Sequence, residues 1–115
     1  GLTFKENCPD IRNSKVEDII KCLREYDINP IVVDPLANKR EAMREYGITL
    51  TDLSEVHDAD CIIVAVAHEE FKNMNLHELD KLYKVGNNYE KVLIDVKNIF
   101  NKSVFSKNEY RYWNL

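Results

Sequence analysis

The sequence predicts an α/β fold: a three-layer domain with a mainly parallel sheet, helices on both faces and a truncated first strand. Three observations predict it. Short β-branched runs such as Ile31-Val32-Val33, Cys61 to Val66 and Val92-Leu93-Ile94 do not alternate with polar residues, the pattern of strands buried on both faces. The stretches between them carry apolar residues at helical spacing. Strand and helix follow one another along the chain, so parallel strands are joined through helical crossovers.

Taken in order, Gly1 to Phe4 reads as the end of a strand, shorter than strands usually are. Lys5 to Asn13 is a polar loop with a proline and asparagines. Ser14 followed by Glu17 has the spacing of a capping box, which starts a helix over Ser14 to Tyr26. Val16, Ile19, Ile20, Leu23 and Tyr26 form its apolar stripe, bordered by Cys22 as a core cysteine. The loop thereby brings Lys5, Arg12 and Lys15 near a helix N-terminus, where free N–H groups and added cations favour an anion. Glu6 and Asp10 offset part of that charge.

Asn29-Pro30 ends the helix and Ile31–Val33 is the second strand. Asp34 follows it, where a dinucleotide-binding domain holds ribose hydroxyls. The first turn has no G-x-G-x-x-G, so Asp34 is read as a turn or cap residue. Asn38 to Tyr46 is a second helix with Ala42, Met43 and Tyr46 inward, closed by Gly47 at C′. Ile48–Leu50 forms a short strand, and Thr51 caps a turn through Val56.

Cys61 to Val66 is the most strand-like run and is expected at the centre of the sheet. His68 follows at its carboxyl end, where open α/β sheets place ligands. It is read chiefly as a residue hydrogen-bonding the next turn, with substrate contact or proton transfer as the alternative. Asn75 with Glu78 repeats the capping-box spacing, ahead of an inner face of Leu76, Leu79, Leu82 and Tyr83 that ends at Gly86. Lys91 to Val96 is the last clear strand. Tyr110, Tyr112 and Trp113 make an edge strand or a contact surface.

Composition excludes several classes. The net charge of −4 lacks the basic excess of a nucleic-acid surface. No apolar run reaches membrane-spanning length. Three cysteines without C-x-x-C spacing imply reduced thiols and a cytoplasmic setting. No histidine pair has zinc spacing, so no metal site is expected. The start within a strand, without an initiator methionine, suggests a piece of a longer protein.

The opening Gly1-Leu2-Thr3-Phe4-Lys5, the polar loop, and Asp10-x-Arg12-x-Ser14 resemble the start of the C-terminal, UDP-binding domain of the UDP-glucose/GDP-mannose dehydrogenase family. Asp34-Pro35, Ala59-Asp60 before the long apolar run, and Ala67-His68-x-x-Phe71 are similar too. The Thr-Phe-Lys-Glu-Asn and Ala-His-x-x-Phe variants look like the branch acting on UDP-N-acetylhexosamines. The resemblance implies a Rossmann-like domain over residues 1 to 115, the last of three in an NAD-dependent enzyme that oxidises the C6 hydroxyl of a UDP-sugar to a carboxylate for polysaccharide synthesis. By the same resemblance, the Phe4 backbone and the side chains of Lys5 and Lys97 contact the nucleotide sugar. Lys97 stands where relatives usually have arginine. Arg12 is a further candidate for that contact, with bracing the loop as its alternative role.

The resemblance also implies NAD bound by an upstream domain, none bound here, and a full-length homo-oligomer. The family's catalytic cysteine lies in a glycine-rich motif that surrounds none of Cys8, Cys22 and Cys61, so the domain is expected to be inactive alone. Two other classes remain: a receiver-like signalling domain, which would want an acidic pair where Lys5-Glu6-Asn7 stands, and a non-catalytic oligomerisation module using the tail aromatics.

Overall fold

The computed structural model describes all 115 residues. Its sheet has three parallel strands in the order β1 (Cys61–Val64), β2 (Val92–Asp95) and β3 (Arg111–Asn114). Register pairs Val64 with Asp95, and Asp95 with Asn114, so the carboxyl ends lie level. Five helices accompany it: α1 (Val16–Glu25), α2 (Lys39–Tyr46), α3 (Glu69–Lys72), α4 (Leu76–Asp80) and α5 (Lys102–Lys107). The α/β class read from the sequence holds, and the tail aromatics do lie on an edge strand.

Two expectations are corrected: β1, expected at the centre of the sheet, lies at its edge with β2 central and ends at Val64, and the first strands do not form. Leu2 to Phe4 forms no strand, and Ile31–Val33 and Ile48–Leu50 meet only through a parallel bridge between Val32 and Leu50. The physical reason is visible at Leu2 and Thr3. Their N–H groups donate to the Asp34 carboxylate (2.6 and 3.1 Å) rather than to a neighbouring strand. A side chain replaces the ladder there.

Helix ends follow local chemistry. Asn38 Oδ1 accepts the N–H groups of Arg40 and Glu41 (2.9 and 3.0 Å), and Gly47 closes α2 at φ +65°, a left-handed conformation that glycine adopts freely. Asn75 Oδ1 accepts the Glu78 N–H (2.8 Å). The start of α1 differs: Ser14 Oγ accepts the Val16 N–H (3.2 Å) and Glu17 pairs forward with Lys21 (2.9 Å) instead of reaching back. The helix therefore begins at Val16, not Ser14. Asp52, not Thr51, precedes the short 3₁₀ turn Leu53–Glu55. Met43 and Cys22 are exposed, because the stripes of these short helices are narrower than the residue pattern suggests.

The interior forms two apolar clusters. Leu2, Ile11, Ile20, Val32, Ala42, Ile48 and Leu50 make one; Val64, Phe71, Leu79, Tyr83, Leu93, Phe105 and Tyr110 make the other. Leu93, on the central strand, is fully buried, and truncation to alanine there costs about 2–5 kcal/mol by the usual scale for such cavities. Gly1 packs so closely that a Cβ would lie 2.6 Å from that of Val66. That approach sets the opening segment against the chain just beyond β1.

Candidate functional site

Two segments at the carboxyl edge of the sheet carry the basic residues singled out by sequence. Lys97 lies in the turn directly after β2. Asp95, fully buried at the end of β2, builds that turn: Oδ1 accepts the Ile99 N–H (3.0 Å) and Oδ2 the Phe100 N–H (2.9 Å). Asn98 takes φ +55°, a conformation asparagine tolerates. Lys97 itself is exposed and enters no salt bridge.

Lys5 lies on the loop that follows Thr3. It too is exposed and without a carboxylate partner. Phe4 is largely exposed; its N–H donates to the Asp10 carbonyl (2.7 Å), which closes the loop, and its own carbonyl takes no protein donor. Arg12 is differently placed. Its Nε and Nη2 grip the Asp10 carboxylate (3.0 and 2.8 Å), a forked pair that uses the guanidinium's planar geometry. The Asp10 carboxyl is held down at about 2, first by the Arg12 side-chain hydrogen bond.

The loop is anchored by residues that sequence reading did not assemble. Asp34 Oδ1 accepts the N–H groups of Leu36 and Ala37 (2.8 and 3.0 Å), the turn role read for it. Its Oδ2 accepts Leu2 and Thr3, and also the His68 Nε2–H (2.9 Å). Burial opposes charge on Asp34, yet the Leu2, Leu36, His68 and Thr3 donors hold its carboxyl below the usual range. His68 is 1% exposed, and its Nδ1 accepts the Asn7 N–H (3.0 Å). A backbone N–H can only donate, so Nδ1 carries no proton and Nε2 does. With both nitrogens occupied, His68 has no face left for a substrate. The signal for this hub was present in outline: Asp34 and His68 each follow a β-type apolar run at its carboxyl end.

Two clefts of about 220 Å³ open elsewhere. One lies beside Ala59, Asp60, Lys84 and Lys91, the other beside Val33, Asp34, Lys39 and Glu70, where Lys39 is spent on Asp52 (2.8 Å). Neither is lined by Lys5 or Lys97, both of which are exposed.

Comparison with known proteins bears on the family and the fold. The UDP-binding-domain model of the UDP-glucose/GDP-mannose dehydrogenase family matches residues 1–102. A UDP-N-acetyl-D-glucosamine 6-dehydrogenase of Pseudomonas aeruginosa is 52% identical over 97 residues, covering 84% of this chain and 22% of the relative. A UDP-N-acetyl-D-mannosamine dehydrogenase of Methanococcus vannielii is 36% identical over 107 residues, covering 93% and 23%. Among solved structures, the UDP-N-acetyl-mannosamine dehydrogenase Cap5O from S. aureus superposes with a TM-score of 0.67 at 28% identity, over 99% of this chain and 24% of that one. The chain spans about a quarter of the length of these relatives.

Proposed function

Since the chain belongs to the UDP-glucose/GDP-mannose dehydrogenase family, as its UDP-binding domain, we propose that it holds the nucleotide sugar in an NAD-dependent UDP-N-acetylhexosamine 6-dehydrogenase. Such an enzyme converts the C6 hydroxyl to a carboxylate, a four-electron oxidation, for polysaccharide synthesis. The relatives named above for UDP-N-acetylglucosamine and UDP-N-acetylmannosamine support that substrate class.

The observation that carries the reading is two exposed, unpaired lysines: Lys97 in the turn beyond β2, and Lys5 on the loop held by His68. Lys5 and Lys97 are not spent on a carboxylate, whereas Arg12 is engaged by Asp10. An ammonium group is a point charge suited to a diphosphate without demanding a forked geometry. The Phe4 carbonyl supplies an acceptor for a sugar or base donor. Arg12 then serves mainly to brace the loop. The open surface around the lysines suits a ligand enclosed only when a second domain covers it, which places the sugar for reaction there.

NAD would accept the hydrides in such an enzyme. The residues of this chain do not fit it: there are three glycines and no G-x-G-x-x-G, and Asp34 is filled by five donors rather than open to a ribose. The cofactor and the nucleophile are therefore assigned to upstream domains, the whole working as a cytoplasmic homo-oligomer.

Calorimetric titration of UDP and UDP-N-acetylglucosamine into the full-length protein tests this. Lys5→Ala and Lys97→Ala are each expected to weaken binding by about ten- to a hundredfold, the usual worth of a charge-assisted contact. Failure of the intact protein to bind a uridine nucleotide, or indifference to both substitutions, would overturn the assignment.

A further inference from the structure

The loop that presents Lys5 is an arch whose two feet rest on one imidazole. At the first foot, Thr3 Oγ1 lies 3.0 Å from His68 Nε2 and donates its hydroxyl hydrogen to the Lys5 carbonyl (2.9 Å). At the second, the Asn7 N–H donates to His68 Nδ1 (3.0 Å). Asn7 then reaches past the ring, its Oδ1 accepting the Glu69 N–H at the start of α3 (2.9 Å). Its φ of +55° turns the chain back at that point. Phe4, Lys5 and Glu6, between the feet, are exposed.

The ring's own orientation is set from behind. Asp34, whose side chain is fully buried, accepts the Nε2–H and so keeps Nδ1 free as an acceptor. The Phe71 ring packs against the imidazole at 5.6 Å. A carboxylate behind a histidine selects its tautomer in this way, and the free nitrogen then acts on the next group.

We infer that His68 is the positioning residue of the nucleotide-binding loop: Asp34 fixes its tautomer, and its Nδ1 holds the arch in the shape that aims Lys5 and the Phe4 carbonyl at the ligand. The inference rests on the nucleotide-sugar reading of Lys5. Preorganisation is the physical content, since a loop already ordered loses less entropy on binding.

The two contacts of the ring can be separated. Glutamine places its amide near the position of Nε2 and can keep Asp34 partnered, but leaves the Asn7 N–H without its acceptor. Asparagine places its amide near Nδ1 and can keep Asn7, but leaves Asp34 short of a donor. In the full-length protein, His68→Gln is expected to raise the Kd for UDP by about tenfold, the worth of one lost hydrogen bond, and to speed amide hydrogen exchange at Asn7. His68→Asn is expected to lower Tm more, while the folded protein keeps its Kd within about twofold and its Asn7 protection. Lys5→Ala serves as the reference. If it weakens UDP binding and His68→Gln changes neither Kd nor Asn7 exchange, the positioning role is overturned and the site stands. If Lys5→Ala has no effect, the site reading falls, and this inference with it. A loss of Tm in both His68 variants with no change in Kd would mark the ring as structural only.

Discussion

Asp95 accepts the Tyr112 hydroxyl at 2.5 Å, across the neighbouring parallel strands β2 and β3. The same carboxylate holds the Ile99 and Phe100 N–H groups, so one buried anion ties the edge strand to the turn that carries Lys97. Tyr112→Phe keeps the ring stacked on Phe105 (5.3 Å, 12°) and removes only the hydroxyl; it is expected to cost about 2 kcal/mol. Asp95→Ala strips three donors of their partner and is expected to cost more, about 3 kcal/mol or above. Urea unfolding of both variants checks the order, and UDP binding should weaken in Asp95→Ala as the turn loosens.

Lys5 and Lys97 should matter to the ligand and not to the fold. Both are exposed and neither forms a salt bridge. Each alanine variant should therefore unfold within about 0.5 kcal/mol of the parent. A larger loss in urea unfolding would show that a lysine has a structural partner, and its binding defect could then not be assigned to the nucleotide.

Acid should weaken the second apolar cluster through Asp80. Lys91, buried against the Tyr110 ring, donates to Asp80 Oδ1 (2.6 Å) and to Asn88 Oδ1 (3.0 Å), and the Tyr110 hydroxyl donates to the same Asp80 oxygen. The Lys91 hydrogen bond first, then that of Tyr110, holds the Asp80 carboxyl below its ordinary value. A carboxyl lowered on folding stabilises fully above its unfolded pKa, about 4, and its contribution disappears as pH falls through the folded value. Asp80→Asn should thus flatten the acid limb of the stability curve, measured by urea unfolding at a series of pH values, and leave the parent more stable only above about pH 4.

The alkaline limb should report three tyrosines. Burial raises the Tyr83, Tyr110 and Tyr112 hydroxyls, and hydrogen bonds to Asp80 and Asp95 raise the latter two further. A group raised on folding stabilises below its unfolded pKa, here about 10, and that stability is lost as pH climbs toward the folded value. Of the six tyrosines, these three should ionise only as the protein unfolds, seen as a late, cooperative step in phenolate absorbance. Smooth titration of all six near pH 10 would contradict it.

Arg12 and Asp10 give a local test of the loop brace. Asp10 should titrate at about 2 by carboxyl NMR, and Arg12→Ala should return it toward the ordinary range near 4. Because Arg12 is exposed and Asp10 partly so, global stability should scarcely move.

Much of the local order was legible in the residues themselves. Asn38, Gly47 and Asn75 act within four residues of where they stand, and their cap chemistry depends on nothing distant. The strand cores Cys61–Val64 and Val92–Asp95 are short runs rich in β-branched residues, and they form the strands that such runs favour. Lys5 and Lys97 were singled out because the segments around them resemble a family, not because spacing alone marks them.

Tertiary structure decided the rest. Asp34 and His68 are 34 residues apart, and only the folded sheet brings their side chains to 2.9 Å. Leu2 and Thr3 read as strand, yet a carboxylate supplies the partner that a strand would have supplied. Arg12 carries the same charge as Lys5 in the sequence, but the fold closes it on Asp10 and leaves Lys5 open. Periodicity reports which residues are buried; which donor meets which acceptor depends on how loops from separate crossovers converge, and no local pattern encodes that convergence.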